Sequence, residues 1–225
     1  MYTVNYDKDI TLFHGSRGGI AGDIKPISRE RCDFGQAFYM GTNPEQAKSL
    51  VSNDSDPYFY KLRLNLTQIS KDKILELKDM TWAYFVLYNR GKLNSIKNTE
   101  FYQQIKNLGK DKDLIIGPIA DDAMNETMKK FVKGEITDKA FLESIRVIDY
   151  GIQYAAITES ACSQIKILSE RELFGAELTE AKQDSDIRKY EGITKAEEIQ
   201  KKYRREGKYL DEILHDVSRG KGITI

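Results

Sequence analysis

Three short runs in this chain hold residue types that do chemistry. Ile10-Thr-Leu-Phe-His-Gly-Ser reads as an apolar strand ending in His14, Gly15 and Ser16. A histidine at a strand end supplies a directional hydrogen bond, and the glycine beside it lets a ligand come close to the backbone. Arg17-Gly-Gly-Ile-Ala-Gly follows, with phosphate-cradling composition but without the lysine and hydroxyl ending of a P-loop. A flexible connection between strands accounts for that loop equally well. The second run, Cys32 to Leu50, places Tyr39 on a short apolar strand just before a helix start, next to Gly35, which permits a tight entry. The third is Asp121-Asp122. Two adjacent carboxylates suit acid/base work, yet a helix is expected to begin directly after them, where a carboxylate also serves as N-cap and dipole partner.

The elements that must position these residues follow from pattern. Asn43 stands where an N-cap accepts from free amides, and Pro44 at the first helical position loses no hydrogen bond, so a helix starts at Pro44. Tyr58 to Leu66 alternates apolar and polar residues as a half-buried strand does, and Ile74-Leu-Glu-Leu is a further short strand. Trp82 to Arg90 reads as a buried helix, 91–108 as a polar excursion, and Asp113-Leu-Ile-Ile-Gly-Pro-Ile as a compact strand. Helices are expected from Ala123 to Lys133 and from Thr137-Asp138 to about Val147. Gly151 to Thr158 is a strand, Thr158 caps a helix running to about Leu168, and Glu172 to Leu178 closes the sheet. The order of elements predicts an α+β domain over 1–180 and a charged helical extension over 181–225, in which Thr194 and Glu197 form a capping box. The apolar set of that extension (Ile199, Tyr203, Leu210, Ile213, Leu214, Val217) is thin, so it must pack on the main domain or on a partner.

Composition narrows the class. With 225 residues, 40% hydrophobic and 31% charged, the chain can bury one full core. Basic and acidic residues both number 35, so no overall field argues for nucleic acid or an anionic membrane. The opening residues hold no charged-then-apolar signal segment and no apolar run approaches a membrane span, so a cytoplasmic protein is expected. Two cysteines and two histidines make neither a disulfide framework nor a tetrahedral zinc set; no metal is expected.

Leu12-Phe-His-Gly-Ser, Phe34-Gly-Gln-Ala-Phe-Tyr and the run from Ile152-Gln-Tyr to Leu168 together resemble the ADP-ribosyltransferase superfamily, in its poly(ADP-ribose)-polymerase-like or diphtheria-toxin-like branch with a His-Tyr-Glu signature. More closely, Leu12 to Leu173 looks like a bacterial family labelled domain of unknown function 3990, with Asp33-Phe-Gly and Asp113-Leu-Ile-Ile-Gly in its pattern. The resemblance implies split antiparallel sheets with flanking helices and NAD as substrate. It implies that His14 bonds a ribose hydroxyl, the Gly15 backbone holds the nicotinamide amide, Ser16 adds a hydroxyl contact, and Tyr39 stacks on the nicotinamide ring. Phe34, Gly35 and Phe38 belong to the same NAD-binding set, with Arg17 beside it. An aromatic face suits a cationic pyridinium.

The departures are as informative. Gln153 stands where the resemblance implies the catalytic glutamate. A neutral amide can accept from a ribose hydroxyl, but it adds no charge and deprotonates nothing. Glu159, six residues on, is a candidate substitute that also suits the first turn of the next helix. Leu50 replaces a second ring-stacking tyrosine, and Ala47 the serine near it. The leading expectation is a mono-ADP-ribosyltransferase of toxin or defence-effector type, using His14, Tyr39 and Gln153 to transfer ADP-ribose to a macromolecular acceptor. An NAD- or ADP-ribose-binding sensor and an NAD glycohydrolase are the alternatives. The extension after Ala181 is expected to contact a substrate or a neutralising antitoxin-like partner, or to buttress the core.

Overall fold

The computed structural model describes residues 4–120, 125–147 and 149–221. These form seven strands and eight α-helices. The strands are β1 (Asp9–Arg17), β2 (Phe38–Gly41), β3 (Pro57–Asn65), β4 (Ile74–Glu76), β5 (Leu114–Pro118), β6 (Ile152–Ala156) and β7 (Ile165–Glu172). The helices are α1 (Pro44–Ser49), α2 (Asp79–Asn89), α3 (Glu100–Leu108), α4 (Asn125–Val132), α5 (Asp138–Ile145), α6 (Glu159–Cys162), α7 (Gly175–Lys202) and α8 (Leu210–Ser218). The fold is α+β, as expected.

The strands lie in the order β4-β5-β6-β2-β1-β3-β7, antiparallel except for β4 with β5. Two split sheets were expected from the resemblance; hydrogen bonding instead joins all seven strands into one sheet. The join between its halves is narrow, because β1 and β2 share the single pair Phe13↔Gly41. By contrast, β1 and β3 pair along their whole length, from Asp9↔Asn65 to Arg17↔Pro57.

Alternation sorts the side chains into two layers. Leu12, Phe38, Met40, Tyr60, Leu62, Ile116 and Tyr154 face one core. Ile115 and Ala155 face the larger one, built with α2, α3, α4 and α5 around Trp82, Phe101, Phe131 and Phe141. There Phe131 and Phe141 stack with centroids 4.7 Å apart.

Local signals hold at the first helix. Asn43 accepts from the Glu45 and Gln46 amides at 3.0 and 3.4 Å, with Pro44 behind it. Such a cap contributes about 1 kcal/mol. Gly15 then lets α1 lie directly on β1, since a Cβ there would collide with the Ala47 carbonyl oxygen.

Four expectations are corrected. The stretch 91–108 is not merely a polar excursion: it contains α3, which buries Phe101 and Ile105. The helix after Thr158 stops at Cys162, and Ile165 and Ile167 pair with Leu64 and Leu62 as an edge strand, obeying a period of two. Residues 175–178, expected to close the sheet, open α7 instead. Thr194 and Glu197 lie inside that helix, and the Thr194 hydroxyl donates to the Tyr190 carbonyl rather than capping a new one. The extension packs on the chain's own core: Ala196, Leu210, Ile213 and Val217 are buried in the larger cluster.

Candidate functional site

Of the residues singled out from sequence, His14, Tyr39 and Gln153 lie together at the seam between β1 and β2, but on two faces of it. His14 pairs across β3 with Tyr60 and lies on the smaller-core face, its ring 4.5 Å from that of Phe38. Tyr39 pairs with Ala155 and lies on the opposite face. What links them is the backbone. His14 Nδ1 lies 2.6 Å from the Tyr39 carbonyl oxygen, and a carbonyl can only accept, so Nδ1 carries the proton and Nε2 is the free acceptor. Burial lowers the pKa of His14 to about 4 against the opposing pull of that hydrogen bond, so the ring is neutral at physiological pH.

Tyr39 is fixed at both ends of its hydroxyl. Its Oη donates to the Gly35 carbonyl at 2.7 Å and accepts from the Phe34 amide at 2.9 Å. Burial, reinforced by the charge of Asp33, keeps the phenol protonated. Gly35 makes this turn with φ of +83°, a conformation that excludes most side chains. Phe34 is itself a core residue. Its ring sits over Gly117, where a Cβ would come within 2.9 Å of it, with its centroid 6.5 Å from that of Tyr39.

Gln153 shares the Tyr39 face, one strand over, in register with Gly41 and Gly117. It is buried, and its Nε2 donates to Asp33 Oδ2 at 2.7 Å and to the Pro118 carbonyl at 2.9 Å. Both partners are acceptors, so the nitrogen must face them and Oε1 points the other way. Asp33 in turn accepts from Arg90 Nη2 at 2.6 Å and Nε at 2.8 Å, and from the Ala120 amide at 3.2 Å. Sequence reasoning did not assign Asp33 or Arg90 a role. Asp33 stood in the quoted Asp-Phe-Gly run, and Arg90 is the charged residue directly after the largely buried helix α2; only the fold shows that they meet.

The remaining candidates fall outside this cluster. Ser16 is turned into its own loop, its hydroxyl donating to the Gly19 carbonyl at 2.9 Å. Arg17 is exposed and pairs with Asp54 at 2.7 Å. Phe38 supports His14 from the core. Glu159 is exposed in the first turn of α6, past the far end of β6 from Gln153, so it does not stand in for a glutamate at 153. Leu50 is 60% exposed at the end of α1 and forms no second wall for a ring at Tyr39. Asp121 and Asp122 lie outside the described residues.

Helix α1, which lies beneath Gly15, is anchored from below. Arg171 and Lys48 both bind Glu177, at 2.6 and 2.9 Å, and hold its carboxyl down to about 2. A separate cleft of about 560 Å³ opens between α2, α3 and β5, walled by Phe34, Phe85, Tyr88 and Asn89; His14, Tyr39 and Gln153 do not line it. Among the described residues no cluster of three or more His, Cys, Asp or Glu could hold a metal ion, and no helix is long and apolar enough to cross a membrane.

The chain is thus an α+β protein with one mixed sheet and with a histidine and a tyrosine tied across the narrowest join of that sheet. The chain belongs to the family described as "Protein of unknown function (DUF3990)", whose profile matches residues 10–167 and so runs from β1 into the start of β7. No curated protein and no solved structure matches it.

Proposed function

We propose that this chain is a mono-ADP-ribosyltransferase of toxin or defence-effector type, acting in the cytoplasm on NAD and a macromolecular acceptor. The observation that carries the reading is the seam itself. His14 and Tyr39 present a hydrogen-bond acceptor and an aromatic ring on opposite faces at the point where β1 and β2 share one pair. A long, bent dinucleotide is the kind of molecule that could reach both, with its adenosine ribose at His14 Nε2 and its nicotinamide, with the ribose bonded to it, at the Tyr39 face.

The chemistry required is modest. When the bond between nicotinamide and ribose C1′ breaks, its electron pair leaves with the now neutral nicotinamide and positive charge remains on the ribose. The acceptor's nucleophile then bonds C1′ and its proton passes to solvent. Positioning dominates such a step. Gln153 Oε1 accepts from a ribose hydroxyl and fixes the sugar. Because an amide does not take the acceptor's proton, the acceptor must be nucleophilic without help from residue 153.

The amide at 153 also favours a second reading, an NAD- or ADP-ribose-binding sensor that performs no transfer. Nicotinamide release separates the two. A transferase releases it and labels an acceptor in cell extract, whereas a sensor binds NAD and releases none; free ADP-ribose without labelled acceptor marks a glycohydrolase.

A further inference from the structure

We propose that Asp33 is a positioning residue that acts with Gln153 as one unit, holding the amide oxygen toward the Tyr39 face and carrying the site's negative charge one hydrogen bond behind it. This rests on the reading of Gln153 as the group that meets the ribose, but the geometry stands without it. Each oxygen of Asp33 has its own duty: Oδ1 takes both contacts from Arg90, while Oδ2 takes Gln153 Nε2 and the Ala120 amide. The carboxylate is 9% exposed and the guanidinium 10%, so the pair is a buried one, and removing Asp33 takes a close counter-charge from a buried guanidinium.

Two consequences follow for Gln153. A carboxylate at 33 allows one amide orientation only, since a flipped amide would set Oε1 against Oδ2. A charge-assisted hydrogen bond to Nε2 also draws electron density toward Oε1 and makes it a stronger acceptor than an isolated amide. The site thereby recovers part of what a glutamate would supply, with the full charge neutralised by Arg90.

A charge-swap cycle tests this in the full chain. In D33N the new amide donates to residue 153 and admits the flipped Gln153. In Q153E two carboxylates face each other across one hydrogen bond with a single arginine to balance them. In D33N/Q153E one carboxylate and one amide are restored with their places exchanged. Thermal unfolding should show both single variants destabilised and the double variant recovering most of the loss. In the NMR spectrum of the wild-type chain, both Gln153 side-chain amide protons should exchange slowly. Nicotinamide release should fall at least tenfold in kcat for D33N with KM changed less than threefold, and rise again in the double variant. Additive losses in the double variant, or fast exchange of the Gln153 amide protons, overturn the proposal. If D33N does not fold, the exchange measurement on wild type and the stability of the double variant against Q153E decide. Should the wild-type chain release no nicotinamide, the transferase reading fails, while exchange and unfolding still decide the Asp33–Gln153 unit.

Discussion

The Nδ1 atom of His14 lies 2.6 Å from the main-chain carbonyl oxygen of Tyr39, so a ring on one face of the sheet is held by the backbone of the residue whose own ring occupies the other. This hydrogen bond lies beside the only β1–β2 pair, Phe13↔Gly41, and makes the histidine part of the join as well as a candidate ligand.

That position gives His14 a signature in pH. Its folded pKa, lowered to about 4, lies below the ordinary 6.5. Above pH 6.5 neither state is protonated and the group adds nothing to the pH dependence. As the pH falls from 6.5 toward 4, the unfolded chain takes up a proton that the folded one refuses, so stability drops, by up to roughly 3 kcal/mol, and the loss levels off below the folded pKa. Urea unfolding of wild type and His14→Gln at pH 7 and pH 4.5 checks this. The wild type should lose more stability between the two pH values; equal losses would mean that the ring titrates normally.

Gly15 serves packing before it serves any ligand. Gly15→Ala drives a Cβ into the Ala47 carbonyl and must push α1 off β1, at a cost of about 1–3 kcal/mol. Denaturant unfolding should show that loss, and a fully stable variant would mean that α1 docks more loosely than the contact implies.

The two hydrogen bonds of the Tyr39 hydroxyl hold the 34–35 turn. Tyr39→Phe keeps the ring but strands the Phe34 amide and the Gly35 carbonyl, which should cost about 1–3 kcal/mol. Titration with NAD should show weaker binding than wild type but stronger than Tyr39→Ala, since the stacking face remains. Identical binding by the two variants would remove the ring from the binding account.

Helix α8 is a buttress. Ile213 is 7% exposed in the larger core, so Ile213→Ala should lower stability by about 2–4 kcal/mol. A change below about 0.5 kcal/mol, the range of ordinary surface substitutions, would mean that the end of the chain is docked without being load-sharing.

What sequence revealed and what it hid divide along the range of the interactions. The Asn43-Pro44 start of α1 was legible because caps are local, and so was a strand through His14, although β1 runs on to Arg17 and puts the histidine inside the strand rather than at its end. The strand at 165–172 was not, because the cap at Thr158 invited a long helix and only pairing with β3 reveals that the helix ends after one turn. The length of α7 was hidden for a related reason. A Thr-x-x-Glu pattern marks a helix start only where the preceding residues are not already helical, and Thr194 is preceded by nineteen residues of α7. At the site, His14 and Tyr39 stood out by type and context. Asp33 and Arg90, 57 positions apart, could be joined only by the fold that brings α2 against the loop before β2.

The most direct test of the central claim is incubation of the purified chain with labelled NAD and cell extract, reading nicotinamide release and the label on protein and nucleic acid. Nicotinamide should appear together with label on a macromolecule, and both should be lost in Tyr39→Ala while the variant remains folded. Neither NAD binding nor nicotinamide release by the wild-type chain, or release unchanged in Tyr39→Ala, would contradict it.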